Sequence, residues 1–320
     1  MYSEFVSATR SAAIRCRLLW VLAFLALAAC SSTPEVKPGD TPASKDGDVS
    51  AEPRTATKPL IATQTPRVSP KTTLSIAAVG DMMLGTDYPE NHLPDDDGVS
   101  FLQAVTPWLS SPDITFGNLE GVLLDGGEPA KVCKNLSVCY LFRSPTRYVQ
   151  HYVAAGFDVI SLANNHARDF GEEGRSSGMR ALADAGLRHS GREGDFASFK
   201  AKGLTIAMLA FSVTKESNLL HDYDLAASLV AAHAANHDIV IVSFHGGAEG
   251  LNVERLPFAE EEYFGEPRGD VVKFSRMMVD AGADLVLGHG PHVVRAMEYY
   301  KERLIAYSLG NFATYYGISV

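Results

Sequence analysis

Short apolar segments separated by helical patterns constrain the fold of this chain more than any other feature. The apolar segments are LSIAAVGD (74–81), ITFGNLEG (114–121), FDVISLANNH (157–166), LTIAMLAFS (204–212), HDIVIVSFHGG (237–247), ADLVLGHGPH (283–292) and RLIAYSLGNF (303–312). The helical patterns cover about residues 143–156, 172–186, 222–236 and 267–282. Strands that alternate with helices predict an α/β fold, with helices covering the sheets and functional residues on the loops after the strands.

Polar residues that can bind metal ions follow five of these predicted strands. In chain order they are Asp81, Glu120, Asn164-Asn165-His166, His245, and the pair His289 and His292. Carboxylate, amide and imidazole groups are ligands that divalent transition metals accept. Each group alone also fits a turn, a surface charge or a core histidine. Five such groups in succession are hard to explain as turns, so together they favour a metal centre.

The N-terminus has the pattern of an export signal. Arg10, Arg15 and Arg17 precede an apolar run from 18 to 29, which is short for a membrane span and typical of a signal peptide. The sequence LAAC at 27–30 resembles a bacterial lipobox, which predicts a signal peptide over 1–29 and a lipid on Cys30. A cut nearby with an incidental cysteine, or an uncleaved anchor, is the alternative.

The segment that follows has a different composition from the rest of the chain. Residues 30–72 are rich in Pro, Thr, Ser, Lys and Asp and cannot bury enough apolar surface to offset their conformational entropy. We therefore expect a disordered tether over 30–72 and a folded domain over 73–320. A spacing role for the tether and a tail with no such role are both compatible with this composition.

The charge and cysteine content narrow the partners and the compartment. The formal net charge is −10, which argues against nucleic acid as a partner. Without residues 1–29, 25 basic and 37 acidic residues remain, a charge of −12. In an exported protein, Cys133 and Cys139 are best explained as a local disulfide, because a zinc site built on them lacks a second cysteine pair.

Several motifs together resemble one known family. GDMMLG, GNLEG, LANNHARDFG, SFHGGAEG, DAGADLVLGHGPHVVRAME and LIAYSLGNF, between about residues 74 and 312, resemble the CapA family of poly-γ-glutamate capsule synthesis. That family belongs to the calcineurin-like metallophosphoesterase superfamily. The resemblance implies a sandwich of two sheets of the βαββαβ type, flanked by helices, and a site for two divalent metal ions, with Mn, Fe and Zn equally suited to the ligands.

The resemblance also implies a role for each matching residue. Asp81 and His292 would bind the first metal, Glu120 would bridge the two metals, and the second metal would be bound by Asn165, His245 and His289. His166 would protonate the leaving group, and Asp169 would orient His166. Two positions depart from the phosphoesterase pattern, because Met83 stands where a histidine is usual and Glu120 where an aspartate is usual.

Other residues are weaker candidates for the functional site. Glu249, Arg143 and Arg268 could line a cleft and bind carboxylates, although an arginine on a loop is more often a solvated surface charge. The segment from 307 to 312 is expected to support the site, with Asn311 behind the ligands. The sequence stops eight residues after Phe312, where relatives generally continue, so we expect that a terminal strand or helix is missing from it.

The resemblance implies an envelope lipoprotein, anchored to the membrane through its N-terminal lipid and facing the periplasm or the exterior. The reaction it implies is metal-dependent hydrolysis or transfer at a γ-glutamyl amide, with an anionic polymer or envelope substrate and a membrane polymer-synthesis complex as partners. The net charge argues mildly against tight capture of a polyanion. A phosphoesterase of exported phosphate esters and a non-catalytic accessory of a polymer-export complex are the alternatives.

Overall fold

A computed structural model describes residues 72–132 and 139–316. The predicted signal peptide (1–29), Cys30, the tether up to residue 71, and Cys133 lie outside these residues. Cys139 is disulfide-bonded, while the prediction that Cys133 is its partner stays a prediction. Within the described ranges, no helix has the length and apolar character needed to cross a membrane.

The described chain alternates strands and helices. The strands are β1 (Ile76–Met83), β2 (Ile114–Leu119), β3 (Val122–Leu123), β4 (Arg143–Ser144), β5 (Val159–Ser161), β6 (Arg188–Ser190), β7 (Ala197–Ala201), β8 (Leu204–Ser212), β9 (Asn218–Leu219), β10 (Ile239–His245), β11 (Glu261–Tyr263), β12 (Glu266–Gly269), β13 (Leu285–His289), β14 (Met297–Tyr300), β15 (Arg303–Ala306) and β16 (Asn311–Thr314). The α-helices are α1 (Thr106–Leu109), α2 (Val149–Ala155), α3 (Gly171–Asp184), α4 (Tyr223–Ala234) and α5 (Val271–Asp280), and a 3₁₀ turn, Thr146–Tyr148, precedes α2.

Two sheets form the centre of the fold. The first has the strand order β16-β1-β2-β5-β6, and all of its pairs are parallel. The second has the order β14-β15-β13-β10-β8-β7, with β9 also paired to β8. Its central pairs are parallel, and its outer strands β14 and β7 are antiparallel to their neighbours. Parallel strands place their carboxyl ends at one edge, where the polar residues of the sequence are found.

Successive side chains of a strand point to opposite faces of the sheet, so the two faces of each sheet pack in different layers. In β8, Ile206 and Met208 belong to a core shared with Ile114 and Phe116 of the first sheet. Their neighbour Leu209 belongs instead to a core that contains residues of α4 and α5. The first sheet packs its other face on α1, α2 and α3. The result is a helix–sheet–sheet–helix arrangement, which confirms the predicted α/β sandwich.

The predicted strands are present, but one of them is divided and two helical patterns begin too early. Residues 143–144 form β4 and residues 267–269 belong to β12, so the α-helices of these patterns begin only at Val149 and Val271. LTIAMLAFS forms a strand over its whole predicted length. The prediction of one strand over RLIAYSLGNF (303–312) is wrong. The strand β15 ends at Ala306, and β16 begins at Asn311 in the other sheet. The residues between them carry the chain from the second sheet back to the first.

Candidate metal centre

Asp81 lies near the end of β1, where three strands of the first sheet meet. It is aligned with Asn118 of β2 on one side and with Asn311 of β16 on the other. Its backbone N–H donates to the carbonyl of Gly310 at 2.9 Å, and its Oδ1 accepts a hydrogen bond of 2.8 Å from the Asn118 amide. The carboxylate has no solvent exposure, so its orientation is fixed by buried partners.

Two histidines face this carboxylate, His289 at the end of β13 and His292 on the loop that follows. Nδ1 of His289 lies 3.2 Å from Oδ1 of Asp81, and Nδ1 of His292 lies 3.0 Å from Oδ2. Burial opposes ionisation of Asp81, but the hydrogen bonds and charges of the two histidines outweigh it and hold its pKa well below the usual range. Burial likewise opposes the charged form of His292, yet Asp81 outweighs it and raises the pKa of His292 to about 9. The contact therefore joins the two sheets electrostatically.

Glu120 and His245 form a second buried pair across the same seam. Glu120 follows β2 and His245 ends β10; Nε2 of His245 lies 3.4 Å from Oε2 of Glu120. The Asn118 amide also donates to that oxygen at 2.8 Å. Burial opposes ionisation of Glu120, but the charge of His245 outweighs it and lowers the pKa of Glu120 to about 2. Asn118, which the sequence analysis did not single out, therefore bridges the carboxylates of Asp81 and Glu120.

Buried ligand atoms without hydrogen-bond partners show whether metal ions fit here. Among the described residues they include Oε1 of Glu120, Oδ1 of Asn165, both ring nitrogens of His245, and Nε2 of His289. Leaving such atoms unpaired is costly. Asp81, Glu120 and His245 each bring one ligand atom within 4.8 Å of the others. Carboxylate oxygen and imidazole nitrogen atoms suit Mn, Fe and Zn, so the residues present fit a divalent metal ion.

His166 and Asp169 form a pair on the loop between β5 and α3. Nδ1 of His166 lies 2.7 Å from Oδ2 of Asp169, which leaves Nε2 as the outward nitrogen. The same carboxylate oxygen accepts a hydrogen bond of 2.9 Å from the backbone N–H of Phe142. Nζ of Lys131 lies 3.3 Å from the other oxygen. These contacts fix the imidazole in one orientation.

Asn164 explains why an asparagine precedes Asn165 and His166. Its Oδ1 accepts from the backbone N–H of His166 at 3.0 Å, and its Nδ2 donates to the carbonyl of Leu119 at 2.7 Å. A side chain that bonds to the backbone two residues ahead stabilises a turn. Asn164 thus ties the loop after β5 to the end of β2, and Asn165 and His166 present their side chains from that turn.

A third loop, after β10, brings Glu249 to the edge of the centre. Its Oε1 accepts from Arg268 at 2.7 Å and from the Asn165 amide at 3.4 Å, and its Oε2 lies 3.8 Å from Nε2 of His292. Arg268 also donates to the carbonyl of Gly247. Glu249 and Arg268, both predicted as residues of a cleft, therefore lie beside the site.

A second ion pair supports the same loop and was missed. Arg295 makes two hydrogen bonds to the Glu261 carboxylate, of 2.9 and 2.8 Å, and contacts the carbonyl of Ala248. Nothing in the local sequence indicates this pair, because the two residues are brought together only by the tertiary fold. Arg143, a weaker candidate, lies elsewhere: it is paired with Asp87 at 2.6 Å and bonded to the carbonyl of Gly127.

The structure brings the predicted metal ligands to one seam between the two sheets. Direct contacts connect Asp81 with His289 and His292, and Glu120 with His245, while Asn165 is connected through Glu249. Behind the candidate ligands, Oδ1 of Asn311 accepts a hydrogen bond of 3.0 Å from Nδ1 of His292. The assignment of these residues to two metal ions stays a prediction.

Two known capsule biosynthesis proteins are similar in sequence to this chain. The chain is 30% identical over 262 residues to the capsule biosynthesis protein CapA of Bacillus anthracis, covering 75% of this chain and 59% of that protein. It is 28% identical over 256 residues to the PGA biosynthesis protein CapA of Bacillus subtilis, covering 75% and 63%. The chain thus spans about three-fifths of the length of these relatives.

A solved structure and a family model also match this chain. A solved structure assigned as a 5′-nucleotidase of Staphylococcus aureus, in complex with alpha-ketoglutarate, matches with a TM-score of 0.41 and 16% identity, over 72% of this chain and 47% of that one. The model of the family described as bacterial capsule synthesis protein PGA_cap matches residues 75–316, most of the chain and all six candidate metal ligands. This protein therefore belongs to the bacterial capsule synthesis protein family PGA_cap.

Proposed function

We propose that this chain acts in bacterial capsule or poly-γ-glutamate synthesis as a metal-dependent hydrolase or transferase of a γ-glutamyl amide. The family and the CapA relatives support the process. The reaction is supported by the geometry of the site, above all by the unpaired ligand atoms of Glu120, Asn165, His245 and His289 at one buried seam. That observation carries the proposal.

Each part of the site has a chemical task in this reaction. Asp81, Glu120, Asn165, His245, His289 and His292 would hold the divalent ions, which when bound supply Lewis-acid activation of the carbonyl and of water. His166 presents Nε2 toward the reacting group and delivers a proton to the leaving amine. Asp169 holds the imidazole through Nδ1 and stabilises its protonated form.

We place the protein in the cell envelope, held at the membrane by a lipid on Cys30 and by the tether up to residue 72. The basic, apolar and LAAC segments of residues 1–30 support this. Exchange of Cys30 for Ser should release the protein from the membrane fraction and change its electrophoretic mobility. Unchanged fractionation and mobility would contradict the lipid anchor and leave the metal centre untouched.

The metal content of the full chain is the first test. Elemental mass spectrometry should detect divalent metal in the purified wild-type chain, and the Asp81→Ala, His245→Ala, His292→Ala triple variant should lack it. His221→Ala, which changes a partly exposed histidine paired with Glu260, is the matched control and should retain the metal. Absence of metal in the wild type after reconstitution with Mn, Fe and Zn would contradict the proposal.

Activity is the second test, because a metal centre alone is compatible with a structural role. The metal-loaded chain should cleave or transfer short γ-linked glutamate oligomers, and His166→Ala should abolish this while leaving the circular dichroism spectrum unchanged. Turnover of phosphate esters in place of the oligomers would assign the site to a phosphoesterase. Full capsule production by a strain with His166→Ala would support a non-catalytic accessory instead.

A further inference from the structure

A cleft of about 600 Å³ lies directly beside the candidate metal centre. Asn165 and Asp169 line one side of it, so a molecule in the cleft lies against the loop that carries His166. Residues 213–215, which follow the end of β8, also line it. The hydroxyl of Thr214 donates to the carbonyl of Asn164 at 3.1 Å, which ties this segment to the candidate centre.

Three cationic side chains line this cleft: Lys131, Arg168 and Lys215. Lys131 lies 3.3 Å from the buried carboxylate of Asp169, and Arg168 lies 2.7 Å from the exposed carboxylate of Glu216. Lys215 is exposed and forms no ion pair with any residue in the described part of the chain. Its charge is therefore available to a ligand without breaking an existing contact.

The cleft lining carries one more positive than negative charge. Lys131, Arg168 and Lys215 are its cations, and Asp169 and Glu266 are its acidic residues. Asp169 compensates Lys131 and Glu216 compensates Arg168, so Lys215 is the uncompensated cation of this lining. Glu266 is paired with Arg268, whose Nη1 lies 3.0 Å away. The whole chain carries a formal charge of −10, so this lining departs from its average surface. Such a local field attracts anions even when the net charge repels them.

We propose that this cleft is the subsite that holds the free carboxylates of the substrate while the amide lies at the metal centre. The inference rests on the proposed function and names a binding surface for it. Each residue of a γ-linked glutamate chain carries one such carboxylate beside the linking amide. Lysine and arginine bind carboxylates and phosphates alike. The lining holds three separate cationic side chains, which suit a chain with one charge on each residue better than one compact anion.

Binding of a short γ-linked glutamate oligomer to the full chain, measured by calorimetry, tests this inference. Lys215→Glu should weaken binding about 5- to 10-fold, since it replaces an attraction by a repulsion at the rim. Lys200→Glu makes the same charge change at an exposed lysine of β7 that does not line the cleft, and it should leave the affinity unchanged. Glutarate should displace the oligomer, and its neutral diamide should not.

Three results would overturn the inference. The first is that the oligomer does not bind to the wild type. The second is that Lys215→Glu and Lys200→Glu change the affinity for the oligomer equally. The third is that inorganic phosphate displaces the oligomer as efficiently as glutarate does. The outcome is separable from that of the proposed function. Binding that depends on Lys215 without any turnover would support the subsite and contradict the proposed enzymatic function. Turnover with an unchanged KM in Lys215→Glu would support the enzymatic function and contradict the subsite.

Discussion

Nδ1 of His166 lies 2.7 Å from Oδ2 of Asp169, and the Asp169 carboxylate is fully buried. The same oxygen accepts from the backbone N–H of Phe142, so the carboxylate cannot turn away from the imidazole without losing a second bond. This relationship fixes Nδ1 of His166 against Asp169 and leaves Nε2 free of that carboxylate. In the proposed reaction, Asp169 is therefore a positioning residue.

Asp169→Asn should therefore reduce turnover more than its small change in shape suggests. An amide no longer stabilises the protonated imidazole, so we expect kcat to fall about 100-fold or more. Because the two residues act as a unit, His166→Ala with Asp169→Asn should be no slower than His166→Ala alone. Additive losses in the double variant, measured by steady-state kinetics, would show that Asp169 acts independently of His166.

The stability of the metal-free chain should depend on pH through His292. Its pKa is raised to about 9 in the folded state, above the ordinary value near 6.5. Its contribution is therefore fully present below about pH 6.5 and is lost as the pH rises through about 9. The loss amounts to at most about 3 kcal/mol in the free energy of unfolding.

Urea unfolding in the presence of a chelator, at a series of pH values, measures this loss. His292→Asn should flatten the profile between those two pH values, since it removes the titrating group. A His221→Asn variant, which changes a partly exposed histidine outside the centre, should keep the wild-type slope. The same slope in His292→Asn would assign the pH dependence to another group.

The buried pair of Arg295 and Glu261 should be important for stability. Both side chains are almost fully buried, and removing one leaves the other charge uncompensated. Arg295→Met should lower the free energy of unfolding by about 3–5 kcal/mol. Arg276→Met, at a more exposed pair with Glu298, should cost below about 1 kcal/mol. Similar losses from both changes in urea unfolding would contradict this explanation.

Gly290 is required where the loop after β13 passes the loop after β10. Its φ is +112°, and a Cβ there would lie 2.8 Å from the carbonyl oxygen of Gly246. Gly290→Ala should cost about 3–5 kcal/mol from backbone strain and overpacking together. Gly186 also has a positive φ, but no atom lies within 4 Å of a Cβ placed there. Gly186→Ala should therefore lower the free energy of unfolding by about 1–2 kcal/mol. Thermal unfolding of both variants compares them directly.

The sequence predicts the fold class well, and it predicts which polar residues come together at the seam, because both depend on local patterns. Buried parallel strands are apolar over their whole length, and polar residues at their ends stand out. The turn from β15 to β16 escaped prediction, because an apolar stretch does not show which sheet each half joins. Asn118 and the pair of Arg295 with Glu261 escaped it as well. Their roles depend on contacts between distant segments, and no short-range period reveals these.

The contact between Asp81 and His292 joins residues that are 211 positions apart in the chain. A chain that is still being made or exported lacks one end of this contact until nearly all of the domain has emerged. Contacts between such distant residues form late and slowly, since a long loop must close first. The candidate ligands can therefore enclose a metal ion only after folding is nearly complete. Any ion bound there would be drawn from the compartment in which folding finishes, and the metal supply of that compartment would decide its identity.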